Sequence, residues 1–153
     1  MRFFAVLASL LCAAPAVFSA PTAALSARSA VQTLQVTYDQ TYDVASNSLD
    51  IVACSNGVNG LLAKGFTTFG SLPDFPFIGG AQAVEGWNSP NCGTCWQLQY
   101  GNTTINVLAI DHAGSGFNIG LDAMNKLTNN QAVDLGVVEV VSVRTAESVC
   151  GLH

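Results

Sequence analysis

The chain has 153 residues, enough for one domain, and a formal net charge of -5 from 10 acidic and 5 basic residues. It carries no basic cluster or stripe to neutralise phosphates, which excludes nucleic acid and anionic membrane surfaces as natural partners. Charged residues make up only 10% of the chain, below the usual quarter, so a neutral, hydroxyl-rich ligand suits the surface better than an ionic one.

Arg2 precedes an apolar run from Phe3 to Phe18 that leads into Ser19 and Ala20, the layout of a secretory signal peptide over residues 1–20. The run is too short to span a membrane. Cleavage after Ala16, Ser19 or Ala20 would release a secreted protein, extracellular or associated with a cell wall. Residues 21–33, rich in Ala, Ser and Thr, read as a flexible N-terminal segment, and 34–153 as the folded domain. Leu34 to Asp39 alternates apolar and polar residues and predicts the first strand. Tyr42 to Ser48 reads as a loop. Ile51 to Cys54 is expected as a short buried strand ending in a Ser55-Asn56-Gly57 turn, and Leu61 to Lys64 as one or two helical turns stopped by Gly65. Phe66 to Asn91, with several Pro and Gly, reads as a long irregular segment, which in a compact domain is usually functional or cross-linked.

Trp96 to Tyr100, the turn signal Gly101-Asn102, and Thr103 to Ile110 predict a β-hairpin. Its tip carries the sequon Asn102-Thr103-Thr104, a candidate for N-glycosylation. The second strand is expected to end at Asp111, with His112 to Asn118 a glycine-rich turn. Leu121, Met124 and Leu127 recur at helical spacing, with Met124 read as core filler, and Val137 to Val143 predicts a late strand. Five or six strands with one or two short helices suggest a small closed barrel rather than a doubly wound sheet.

Loss of the first segment removes Cys12 and leaves Cys54, Cys92, Cys95 and Cys150, an even number suited to an oxidising compartment. If Cys92 and Cys95 pair with each other they form a redox motif; if each reaches a distant cysteine, Cys92-Gly93-Thr94-Cys95-Trp96 is a covalent hub. The hub is favoured, because the motif follows a loop and precedes a strand, but four cysteines allow three pairings and spacing does not choose among them. Two histidines, His112 and His153, are too few for a structural zinc site, and no metal or other cofactor is expected.

Asp111 stands where a strand gives way to a glycine-rich turn, a place where a carboxylate is held rigidly. Glycoside hydrolysis would need a second carboxylate, and Asp39, Asp43, Asp74 and Glu85 all read as solvated surface acids. His112 beside Asp111 does not make a triad, since neighbours on a strand face opposite ways and no Gly-x-Ser-x-Gly elbow exists. Trp87, Trp96, Tyr38 and Tyr42 are candidates to stack on sugar rings, although Trp96 is expected to pack against the disulfide. A functional Asp111 would lose ligand binding on replacement with little change in unfolding. A structural one would accept N–H groups from the Gly114 to Gly116 turn and lose stability instead.

The blocks Val52-Ala53-Cys54-Ser55-Asn56-Gly57 and Gly86-Trp87-Asn88-Ser89-Pro90-Asn91-Cys92-Gly93-Thr94-Cys95-Trp96, together with Asp111 and Gly116-Phe117-Asn118, closely resemble the cerato-platanin family of small secreted fungal proteins. The likeness runs from about Val36 to Cys150, and the chain departs from the family in the Ala-rich stretch before Val31. The resemblance implies a six-stranded double-psi β-barrel related to that of expansins, with pairings Cys54 to Cys92 and Cys95 to Cys150. It also implies a non-catalytic monomer that binds chitin oligomers or other neutral cell-wall polysaccharide, loosens cellulose without hydrolysis, and is recognised by a plant receptor as an elicitor. Carried over by position, Asp111 matches the acidic residue shared with expansin-like barrels, Asn118, Ser55 and Asn56 match positions lining a shallow groove, and Tyr38-Asp39 matches the start of the mature domain. Two other readings stay open: a glycoside hydrolase or lytic transglycosylase with Asp111 as general acid, and an interfacial or structural secreted protein.

Overall fold

The computed structural model describes residues 30–153; the signal peptide expected over 1–20 and residues 21–29 of the segment after it lie outside these. Six strands close into one barrel: β1 (Gln32–Tyr38), β2 (Ile78–Ala81), β3 (Cys95–Tyr100), β4 (Thr103–His112), β5 (Phe117–Ile119) and β6 (Val138–Thr145), in the spatial order β1-β5-β2-β4-β3-β6. β1 pairs with β5 and β2 with β4 in parallel, and the other four pairings are antiparallel. The parallel pairs set the barrel apart from an up-and-down meander and give it its double-psi character. Closure leaves no sheet edge open to aggregation. Two short helices, α1 (Leu121–Leu127) and α2 (Ala132–Leu135), follow β5.

The hairpin of β3 and β4 turns at Gly101-Asn102 and pairs Tyr100 with Thr103 through to Cys95 with Leu108. β6 alternates as a strand with one wet face should: Val138, Val140 and Ser142 are buried, Glu139 and Val141 exposed. β4 departs from that rule. Val107, Leu108, Ala109 and Ile110 are all buried, because α1 and the 3-10 turn Glu147–Cys150 pack against the strand in addition to the barrel core. Gly93 donates its N–H to the Ala109 carbonyl and the Ala109 N–H returns to Thr94, both at 2.9 Å. The core gathers Leu49, Leu61, Phe69, Leu98, Ile110, Phe117 and Met124, with Met124 the filler the spacing predicts.

The disulfides are Cys54–Cys92 and Cys95–Cys150, with Cα atoms 5.3 and 5.7 Å apart. The pentapeptide is therefore a hub, tying an early and a late segment to a point hydrogen-bonded along β4.

Four expectations need correction. Ile51 to Cys54 is not a strand: a 3-10 turn spans Leu49–Ile51, Ile51 is exposed, and the Cys54 N–H reaches the Ile110 carbonyl outside any ladder. Phe66 to Asn91 is not wholly irregular, since it contains β2. That strand carries Gly79-Gly80, a poor strand sequence by propensity, yet a Cβ on Gly79 would lie 2.4 Å from the Asn118 carbonyl oxygen. Close backbone approach within the barrel, not propensity, selects glycine there. The turn after β4 is also shorter than expected, because β4 runs through His112 and Phe117–Ile119 forms β5. Finally, β1 begins at Gln32, two residues before the strand predicted from Leu34. The Leu62–Lys64 turn ends at Gly65 in the left-handed conformation, as its sequence predicts.

Candidate functional site

The register across four strands lines up Thr37 on β1, Asn118 on β5, Gly80 on β2 and Asp111 on β4. Residues paired across neighbouring strands project to the same face. This is the outer face, because Val36, Ile110, Phe117 and Ile119, the neighbours along the strands, point into the core. Thr37 Oγ1 donates to Asn118 Oδ1 at 3.0 Å, closing one wall. Gly80 is buried between Asn118 and Asp111, with the His112 backbone in the space a side chain would take, so the row presents only a shallow polar trough formed by Thr37, Asn118 and Asp111. A Cβ on Gly80 would lie 2.8 Å from the His112 carbonyl oxygen.

Asp111 is half-buried and engaged through both carboxylate oxygens. Its Oδ1 accepts the N–H groups of Ala53 (2.9 Å) and His112 (2.8 Å), and its Oδ2 accepts the Tyr42 hydroxyl at 3.1 Å. The N–H groups come from Ala53 and His112 and not from the glycine turn, whose Gly116 N–H is bound by Gln82 Oε1 at 2.7 Å. Tyr42 is buried, so it does not stack on a ligand as its sequence position suggested. It stacks on Phe69 instead, with ring centroids 6.1 Å apart. Burial, reinforced by the Asp111 charge and hydrogen bond and by Asp39, holds its phenol well above the ordinary range, so it remains a donor to Asp111.

The trough continues past Asp111 along the segment that Asp111 fastens. Three residues beyond Ala53, Asn56 Oδ1 accepts the indole N–H of Trp87 at 2.6 Å. Asn88 reinforces the junction: its Oδ1 accepts the Asn59 N–H at 3.0 Å and its carbonyl accepts Asn59 Nδ2 at 2.9 Å. Trp87 is 65% exposed while its polar edge is pinned, which presents an oriented aromatic face at small rotamer cost. Ser55 is buried, with its carbonyl accepting from Leu62. Tyr38 is half-buried at the end of β1, and the exposed Asp39 accepts the Thr41 N–H at 2.8 Å as the cap of a 3-10 turn. Trp96 packs edge-on against Phe117 and donates to Thr94 Oγ1, which places it outside the trough. Asn102 is exposed at the hairpin tip.

Sequence reading did not find Thr37, Gly80 or the part played by Tyr42. Their only local sign is a polar residue inside a strand, a Gly-Gly pair, and a tyrosine within a polar loop, none of which is distinctive alone.

Among the carboxylates proposed as partners of Asp111, Asp43 caps α1 by accepting the N–H groups of Leu121 (2.8 Å) and Asp122 (3.0 Å). Glu85 is exposed. Asp74 is not the solvated acid expected, since burial pushes its carboxyl up from 3.8 to about 7. The folded protein therefore holds a proton that the unfolded chain releases between these values. The stability contributed by that proton is complete below about 3.8 and is lost as the pH rises through about 7. Asp74→Asn should remove this dependence: the melting temperatures of wild type and variant should match below about pH 3.8 and diverge progressively as the pH rises to about 7, with the variant higher. Parallel melting curves across that range would refute the shift. Among the described residues no three His, Cys, Asp or Glu side chains gather as a metal site, and no helix is long and apolar enough to cross a membrane.

The family described as Cerato-platanin matches residues 34–152. Allergen Asp f 15 of Aspergillus fumigatus is 52% identical over 132 residues, covering 86% of this chain and 86% of that protein. The crystal structure of cerato-platanin 2 from M. perniciosa superposes with a TM-score of 0.76 at 49% identity, over 79% of this chain and 100% of that one. The solution structure of the fungal elicitor Cerato-Platanin gives a TM-score of 0.69 at 38% identity, over 76% of this chain and 95% of that one.

Proposed function

The chain belongs to the cerato-platanin family, and from that premise we propose that it is a secreted, monomeric, non-catalytic protein that binds neutral cell-wall polysaccharide or chitin oligomers in the trough. On this reading it loosens cellulose without hydrolysis and is perceived by plants as an elicitor; the description of one structural neighbour as a fungal elicitor supports the latter part. The observation that carries the proposal is the polar row Thr37, Asn118 and Asp111, continued through Asn56 to the pinned, exposed face of Trp87. Sugar rings are amphipathic. Their C–H faces stack on an indole while their hydroxyls hydrogen-bond to amides and carboxylates, and the acidic, charge-poor surface does not compete for them.

A non-catalytic role is supported by the engagement of Asp111. A general acid needs a carboxyl free to exchange its proton, but both Asp111 oxygens accept structural hydrogen bonds, and Asp39 and Asp43 both serve as caps.

Titration of the mature protein with chitin hexamer, followed by residue-resolved amide shifts, tests the proposal. Shifts should concentrate at Asn56, Trp87, Asp111 and Asn118, and Trp87→Ala should weaken binding about tenfold with an unchanged melting temperature. Release of reducing ends from chitin or cellulose would favour a hydrolase. Film formation at an air-water interface with no sugar-induced shifts would favour the interfacial reading.

A further inference from the structure

Trp87 stands in a four-residue turn over 86–89, closed by the Ser89 N–H on the Gly86 carbonyl at 3.2 Å. Asn88, at its third position, holds φ at 58°. That is the left-handed region, where turns take Gly or Asn and most side chains are strained. From there Asn88 reaches the neighbouring loop. Its Oδ1 accepts the Asn59 N–H at 3.0 Å and its carbonyl accepts Asn59 Nδ2 at 2.9 Å, so two hydrogen bonds join the same pair of residues. The approach is close: a Cβ on Gly57 would lie 2.5 Å from Asn88 Oδ1. Both asparagines are half-buried, whereas Trp87 and Asn56 are exposed.

We propose that Asn88 is a positioning residue for carbohydrate binding, which latches the turn carrying Trp87 onto the loop over 56–59 and so aims the indole along the trough without itself meeting the ligand. The proposal rests on the reading of the trough as a sugar site. Two other links join the same loops, and neither suffices. The Cys54–Cys92 bridge lies beyond Pro90 and outside the turn, so it limits the distance between the loops and leaves the direction of the indole free. The bond from Trp87 Nε1 to Asn56 Oδ1 joins two exposed side chains, for which water competes, and it persists only where the Trp87 backbone is already held. The half-buried Asn59–Asn88 pair supplies that hold. Residue 88 must combine a left-handed backbone with a side-chain acceptor. Glycine keeps the first and loses the second, alanine loses both, and aspartate keeps both. A ligand that stacks on an indole already fixed does not have to immobilise it, and that advantage disappears when the latch is cut.

The test uses the secreted protein, with chitin hexamer as the probe and solvent exchange of the Trp87 indole N–H as a readout that needs no ligand. In Asn88→Gly the indole N–H should exchange about tenfold faster than in wild type, and hexamer affinity should fall about three- to tenfold. Asn88→Asp should restore both the protection and the affinity to within about twofold of wild type. Asn59→Ala, which cuts one of the two bonds from the other loop, should weaken binding about threefold and serves as the second variant should Asn88→Gly fold poorly. In a Trp87→Ala background, Asn88→Gly should cause no further loss, because the latch acts through the indole. An asparagine with only a structural role would lower affinity by the same factor whether or not Trp87 is present. That result overturns the proposal, and so does an indole exchange rate or a hexamer affinity equal to wild type in Asn88→Gly. Absence of hexamer binding by the wild type overturns the trough reading and the carbohydrate role together. Binding by the wild type with any of the preceding contrary results overturns the positioning role alone.

Discussion

Replacing Cys95 and Cys150 together by serine should lower unfolding free energy by about 4 kcal/mol and sharply reduce the amount of protein secreted. The bridge closes a sequence separation of 55 residues, and releasing it restores loop-closure entropy to the unfolded chain. The Cys54–Cys92 loop spans 38 residues and ends before the second loop begins, so the two constraints are independent and neither substitutes for the other. Small single domains are typically stable by about 5 to 15 kcal/mol, so the expected loss is a large share of the total. Cys95→Ser alone should do at least as much harm, since it also leaves Cys150 as a free thiol in an oxidising compartment. Denaturant unfolding of the serine pair beside wild type measures the effect, and a midpoint equal to wild type would refute it.

Asp111→Ala should destabilise the fold by about 2 to 3 kcal/mol, because removing the half-buried acceptor of three hydrogen bonds leaves their donors unpaired. The stranded groups are the Ala53 and His112 N–H groups and the Tyr42 hydroxyl, which is itself buried against Phe69. This reverses the expectation that unfolding would shift little, and it also changes how the residue is to be tested. Loss of ligand binding in Asp111→Ala would not distinguish a contact with sugar from collapse of the Ala53 to Asn56 segment and, with it, the Trp87 platform. Asp111→Asn makes that distinction. Its amide oxygen can still accept from Ala53 and His112, and the Tyr42 hydroxyl can turn to accept from the new amide nitrogen, so stability should fall by no more than about 1 to 2 kcal/mol. If Asp111 also binds sugar, affinity should drop about tenfold in this variant, since a charge-assisted bond to a ring hydroxyl becomes a neutral one. Melting temperature and chitin-oligomer affinity measured on the same samples decide the matter. Unchanged affinity in Asp111→Asn would assign the residue a structural role only.

What the sequence determined by itself is what its local chemistry encodes. Period-two alternation on either side of Gly101-Asn102 specifies the β3–β4 hairpin, spacing of three specifies α1, and a glycine past Lys64 stops its turn. The hub was legible as a choice among pairings, and family likeness, not spacing, selected the pairing the fold contains. Tertiary structure alone decided the remainder. β2 is four residues with two glycines and β5 is three residues long, so neither carries a periodic signal. Each is a strand because the closing barrel brings other backbones close enough to take its N–H and C=O groups. The same closure brings Ala53 and Tyr42 to Asp111 across 58 and 69 residues of chain. Sequence separation carries no information about such contacts. A lone aspartate reads the same whether water, a backbone N–H or a sugar hydroxyl meets it, and only the packing around it determines which.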